Sequence, residues 1–384
     1  MKKLVSVLLL VIVVSSLLIT GCSEPEPTSA PTAAPTSAPE PTSAPEPTSA
    51  PEPTAAPEPT EEPEPEKVYT LRYASMDSDV SWVGTHMYKP WFEAMEEATN
   101  GAVVIEPYWS NTLSKPMDNW ESVKSGIADM GNCVMAFWPG LAPLSDVISL
   151  PFIGIESSEQ ASEVFWKLID MYPSIQDEYK DVHVMFVNAA NPNVLITTDK
   201  QVKSVEDIEG MKIRSTGGPP TEYLKSIGAS PMLVSMVDVY TNLQKGVIDG
   251  VISSWTAVES MRFYEVAEYV SEIPIYSTFA VRCMNLDTWN SLPPDIQEQL
   301  NSVNDMEWSI QSGKLQFDDH TAAVKADGFG MNVYYPTEEE LAAWQEAAFP
   351  IWEKWVSDME EAGHPEAQDI LNSLLELVEA TGSK

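Results

Sequence analysis

A duplicated corner restricts the fold more than any other feature of this chain. Trp120, Val123, Gly126 and Asp129 recur at identical offsets as Tyr240, Leu243, Gly246 and Asp249. In each copy a run with helical apolar spacing stops at glycine and gives way to an aliphatic, strand-like run. The same larger order surrounds both corners. In the first copy residues 70–74 predict a strand, 87–99 a helix closed by Asn100 and Gly101, 103–105 a strand, 117–125 a helix, and 127–130 the opening of a third strand. In the second, residues 211–214, 219–227, 232–234, 235–246 and 247–252 repeat strand, helix, strand, helix, strand, with Pro219 allowed in a first helical turn and Gly228 as a stop. Strands joined by helical crossovers lie parallel, so the expected architecture is α/β in two pseudo-equivalent lobes. Ligands of such pairs sit in the crevice, at the carboxyl ends of the strands. Residues 296–329 read as one long amphipathic helix, and helices over 337–362 and 365–381 follow, extensive enough to brace both lobes.

The N-terminus gives an address. Lys2 and Lys3 precede an apolar run over 4–14, and Ile19, Thr20, Gly21 and Cys22 follow. A basic start, an apolar centre and small residues mark a signal peptide, and the run is shorter than the roughly 20 residues of a membrane span. Residues 19–22 resemble the bacterial lipobox, which implies diacylglycerol on Cys22 and a mature N-terminus there. Acyl chains burying ~0.8 kcal/mol per CH₂ hold such a protein at a bilayer without a spanning helix. Residues 23–66 contain only Ser, Glu, Pro, Thr and Ala, so they build no core and read as an extended, semi-rigid spacer. Residues 67–384 remain as the folded part, divided as a first lobe over about 68–187 plus 277–310, a second over about 188–276, and C-terminal helices over about 294–384.

Ten of the 58 acidic residues lie in the spacer and two of the 21 basic ones at the N-terminus, which leaves the folded part at −29. Such a surface repels nucleic acid and anionic lipid. An anion bound here needs local donors rather than the overall field. Besides Cys22 the chain has Cys133 and Cys283, open at this point to a disulfide or to two buried thiols. Its four histidines are scattered without ligand spacing, so no zinc site and no cofactor are expected, a cation carried in with the ligand staying open at this point.

Six stretches, residues 122–131, 149–152, 210–214, 227–231, 239–250 and 284–293, together resemble the DctP-like substrate-binding proteins of tripartite ATP-independent periplasmic (TRAP) transporters. The resemblance implies a two-lobed periplasmic-binding-protein-like fold that closes over a small organic acid and presents it to a membrane permease. It also implies that Arg214, in the lysine-aliphatic-arginine run, holds the carboxylate. A guanidinium suits that task because its planar fork matches two carboxylate oxygens. The bland reading of Arg214 is an ion pair with Glu222. The loop after Asp249 and Gly250 brings Ser253 and Trp255 into consideration, although Trp255 equally suits a core. The loop after the first strand offers Trp82, and the end of the third offers Asn132, with Trp138 nearby. Sialic-acid binders of the family carry a second arginine about 20 residues before the first. Here that place falls on Val194, beside Asn193, which offers a neutral donor instead and argues against a sialic-acid-like ligand, while the several tryptophans point to a smaller, partly apolar or aromatic carboxylate.

The rival classes are a ligand-sensing lipoprotein with the same pocket and a cell-envelope hydrolase. The hydrolase lacks support: no nucleophile elbow, metal-spaced histidines or glycine-rich phosphate loop occurs. The expected location is the outer face of the cytoplasmic membrane.

Overall fold

The structure, a computed structural model, describes residues 67–382; Cys22, the signal segment and the spacer lie outside the described residues. Two sheets carry the fold. The first contains β1 (Tyr69–Ala74), β2 (Val103–Tyr108), β3 (Met130–Val134), β4 (Val182–Ala189) and β10 (Phe279–Asn285), in the order β2-β1-β3-β10-β4. The second contains β5 (Asn193–Thr197), β6 (Lys212–Ser215), β7 (Ser230–Leu233), β8 (Gly250–Ser253), β9 (Tyr269–Tyr276) and β11 (Asn332–Tyr334), in the order β11-β9-β5-β8-β6-β7. β1 runs parallel to β2 and β3, and β6 parallel to β7 and β8, as crossover helices require. The chain enters the second sheet between β4 and β5 and returns between β9 and β10, so each lobe ends with antiparallel partners.

The duplicated corner has a structural meaning. Gly126 and Gly246 both take positive φ, 76° and 65°, which a side chain resists. Asp129 Oδ2 accepts from the backbone N–H of Arg72 at 2.9 Å, and Asp249 Oδ2 from that of Lys212 at 2.8 Å. Each repeat aspartate therefore ties its corner to the first strand of its own repeat, β1 or β6. It serves the scaffold, not the cleft.

The long C-terminal region departs from the expected single helix. Pro294–Asn301 ends where the Asn304 amide donates to the Leu300 carbonyl at 2.7 Å, and a new helix starts with Asp305 accepting from the Trp308 N–H at 2.9 Å. Capping side chains thus split a region whose apolar period runs on unbroken. The second helix continues as Met306–Gly313, a π-turn Lys314–Asp318, and Asp319–Asp327. Its first part meets the first lobe, where Asp318 accepts from the N–H groups of Ser158 and Glu159, both at 2.9 Å. Its last part meets the second, through His320 to Glu259 at 2.5 Å and Lys325 to Glu272 at 2.7 Å. The π-turn falls at the crossing. The expected helix over 337–362 is also two, Glu338–Glu346 and Phe349–Glu361, because Pro350 fits only a first turn. β11 was not anticipated at all.

The C-terminal helices do tie to both lobes. Trp352 and Trp355 donate from Nε1 to the carbonyls of Pro151 (2.7 Å) and Pro143 (3.1 Å) in the first lobe. Tyr223 of the second lobe donates to the Trp344 carbonyl at 2.9 Å. One apolar core runs from Phe165 and Val281 through Leu195 and Ile213 to Trp344 and Leu374.

Candidate functional site

Parallel strands deliver their carboxyl ends to one side of each sheet, and loops there carry side chains without consuming them in the ladder. β6 delivers Arg214. Its side chain is nearly enclosed, with the residue 5% exposed, and its Nε–H donates to the Val234 carbonyl at 3.0 Å. Among the described residues it has no carboxylate within ion-pair distance. Glu222 instead pairs with Lys225 at 2.8 Å on the surface. Of the other arginines, Arg72 pairs with Asp129 at 2.7 Å and Arg262 with Glu265. Arg282 lies fully buried against Asn188, Gln316 and Tyr88. Burial lowers the pKa of Arg214 from its ordinary value, the mark of a cation short of compensation.

Neighbouring strands bring polar groups to the same end of the sheet. Asn193 opens β5 and stands opposite Tyr276, the last residue of β9; Ser253 closes β8 and stands opposite Val194. All three are buried, and the Tyr276 hydroxyl has no hydrogen-bond partner, with Thr216 beside it but not completing a bond. Tyr276 and Thr216 border a small, partly open space of about 30 Å³, shared with Gly217, Thr278, Asp146 and Phe279. Arg214, two residues before Thr216, is not in its lining. Sequence reasoning missed Tyr276, because a tyrosine closing an apolar strand reads as core.

Other anticipated residues lie elsewhere. Trp255 is 2% exposed in the core of the second lobe, its Nε1–H donating to Glu272 Oε1 at 2.7 Å, so it stiffens that lobe and does not face the space beside Tyr276. Trp82 stacks between His86 and His320, at 4.1 and 5.1 Å, and lines a separate cavity of about 430 Å³ between the lobes with Asp77, Glu259 and Phe317. Asn132 is buried on β3, its Oδ1 without a partner and its amide 4.0 Å from Met76 Sδ. Trp138 donates to the Met117 carbonyl at 3.1 Å. Cys133 and Cys283 are buried free thiols with their sulfurs 3.5 Å apart. Among the described residues no cluster of three or more His, Cys, Asp or Glu side chains is arranged to hold a metal, and no helix is long and apolar enough to cross a membrane.

Asp146 brings a proton into this region. It reaches from the first lobe toward Gly218 at the start of the helix Gly218–Ser226. Burial, then the neighbouring Glu178, pushes its carboxyl up to about 7. The folded state thus holds a proton there that the unfolded chain releases near pH 4, and stability falls as pH rises from about 4 to about 7. Asp146→Asn removes that slope. Compared with the parent by denaturant unfolding, the variant is expected to gain ~4 kcal/mol at pH 8 and almost nothing at pH 4. Equal differences at both pH values would show that Asp146 ionises freely.

The bacterial extracellular solute-binding protein family 7 (DctP) matches residues 74–358. Among curated relatives, the ectoine-binding periplasmic protein of Halomonas elongata is 24% identical over 302 residues, covering 76% of this chain and 86% of the relative. A TRAP solute-binding protein from Rhodoferax ferrireducens, solved in complex with copurified benzoate, superposes with a TM-score of 0.76 at 25% identity, covering 82% of this chain and 98% of that one. Another, from Bordetella bronchiseptica with bound (R)- and (S)-mandelate, gives 0.75 at 24% identity and covers 82% of this chain and all of that one.

Proposed function

Since the chain belongs to family 7 of the bacterial extracellular solute-binding proteins, we propose that it captures a small monocarboxylic acid, foremost an aromatic one, and hands it to a TRAP permease from a lipid anchor on Cys22. The observation that carries this reading is Arg214: a buried guanidinium with one N–H spent on Val234 and no carboxylate beside it. A buried cation without a counter-charge costs several kcal/mol, and an incoming carboxylate offsets that cost with two parallel hydrogen bonds. Asn193 and Ser253 add neutral polar groups at the same end of the sheet, and Tyr276 adds an aromatic surface. The benzoate and mandelate held by two similar proteins support the aromatic preference. The stretch over 23–66, built only of Ser, Glu, Pro, Thr and Ala, would serve as the spacer between that anchor and the lobes.

A thermal-shift panel tests the reading on the full-length chain. Benzoate, mandelate and 3-hydroxybenzoate at about a hundred times their Kd are expected to raise Tm by about 5 °C, and neutral polyols to leave it unchanged. A panel in which no carboxylate moves the transition removes the proposal.

A further inference from the structure

Tyr276 stands out among the polar groups that the fold leaves unused. Its residue is 3% exposed, yet its hydroxyl completes no well-formed hydrogen bond, with only the Thr216 side chain close enough to perturb it. An orphaned buried hydroxyl is unfavourable, and it persists in folded proteins mainly where something outside the chain completes it. Beside it lies the partly open space of about 30 Å³, enough for a water or two, or for one carboxylate group whose apolar body stays outside it. On the sheet, Tyr276 closes β9 directly opposite Asn193, with Ser253 on the next strand and Arg214 on the strand beyond. The charge of Arg214 is felt at the Tyr276 oxygen, although burial dominates and keeps the phenol protonated above its ordinary range.

We infer that Tyr276 is a second ligand-contact residue, whose O–H donates to the carboxylate that Arg214 neutralises and whose ring walls the body of the ligand. The assignment rests on the carboxylate reading above and narrows it. A phenol supplies a donor without a charge, so the clamp formed by Arg214 and Tyr276 carries a single positive charge. It matches one carboxylate attached to an apolar, preferably flat, group. A dicarboxylate would need a second cation, and the other buried guanidinium, Arg282, already donates to Asn188 Oδ1 at 2.5 Å and Gln316 Oε1 at 2.6 Å. Thr216 and Thr278, which border the same space, are positioned to hold the hydroxyl's water when no ligand is bound.

The test is Tyr276→Phe in the full-length chain, titrated calorimetrically with benzoate and with succinate. Phenylalanine keeps the ring and removes only the orphaned hydroxyl. The variant is expected to lose roughly ten- to a hundredfold in benzoate affinity, while its ligand-free Tm stays level or rises. A purely structural tyrosine would show the reverse, an unchanged affinity with a lowered Tm. Benzoate binding equal to the parent's overturns the assignment while the carboxylate reading stands, provided that Arg214→Ala still loses binding. A parent chain that prefers succinate overturns the single-carboxylate clamp. A parent chain that binds neither acid overturns both readings together.

Discussion

Arg214→Ala is expected to lower affinity for the bound acid by roughly two to three orders of magnitude, since truncating one partner of a desolvated, hydrogen-bonded charge pair costs about 2–5 kcal/mol. Arg214→Lys should lose most of this too. An ammonium at the end of a flexible stem offers no planar fork, and its hydration is harder to strip in a nearly closed site. The ligand-free protein should respond in the opposite sense. Arg214 makes one side-chain hydrogen bond, to the Val234 carbonyl, and has no counter-ion among the described residues, so its removal relieves desolvation while leaving only that carbonyl to rehydrate. Calorimetric titration with benzoate, set beside thermal unfolding without ligand, separates the two effects. A variant that binds as the parent does, at unchanged stability, would mean that the carboxylate is held elsewhere.

Much of this arrangement is legible in residue order, and the part that is not has definite physical causes. The strands near Thr70, Val103, Ile213 and Val251 announce themselves because aliphatic runs there are punctuated by glycines whose φ is positive in the fold, at 101, 126, 228 and 246. Arg214 is legible through its family motif. Its isolation is not, since whether Glu222 turns toward it or toward Lys225 is settled by the packing of the helix Gly218–Ser226. Trp255 illustrates the converse: an indole at the start of a helix offers the same letters whether it lines a cleft or, as here, bonds Glu272 in a core. The break at 302–305 escapes a periodicity argument because Asn304 and Asp305 interrupt the backbone through their side chains without disturbing the apolar spacing. Tyr276 escapes because nothing in a sequence marks a hydroxyl that fails to find a partner.

A charged residue inside the apolar strand β10 was a signal available from the start, and it carries the largest expected effect on stability. Arg282 is fully buried, bonding Asn188 on β4, Gln316 in the π-turn of the long helix and Tyr88 at the head of the first helix. It thereby joins three elements of the first lobe, including the turn where the long helix crosses to the second. Arg282→Met strips a counter-charge from Asp77 and leaves Asn188 Oδ1 without a donor, while Gln316 Oε1 keeps only the Asn188 amide at 3.0 Å, which is expected to cost ~3–5 kcal/mol in denaturant unfolding. The loss should depend on pH. Burial pushes the Asp77 carboxyl up to about 6, while Arg282 and a hydrogen bond from Tyr88 pull it down. Without the guanidinium it rises further. At pH 5 Asp77 is largely protonated in both folded proteins, so the charge contribution nearly vanishes; at pH 8 the variant alone must bury an uncompensated carboxylate. The destabilisation should therefore grow from pH 5 to pH 8, and adding Asp77→Asn should recover the pH-dependent share while leaving the cost of the unmet Asn188 oxygen. A loss below about 1 kcal/mol, flat with pH, would mean that water enters the space and that Arg282 only fills volume.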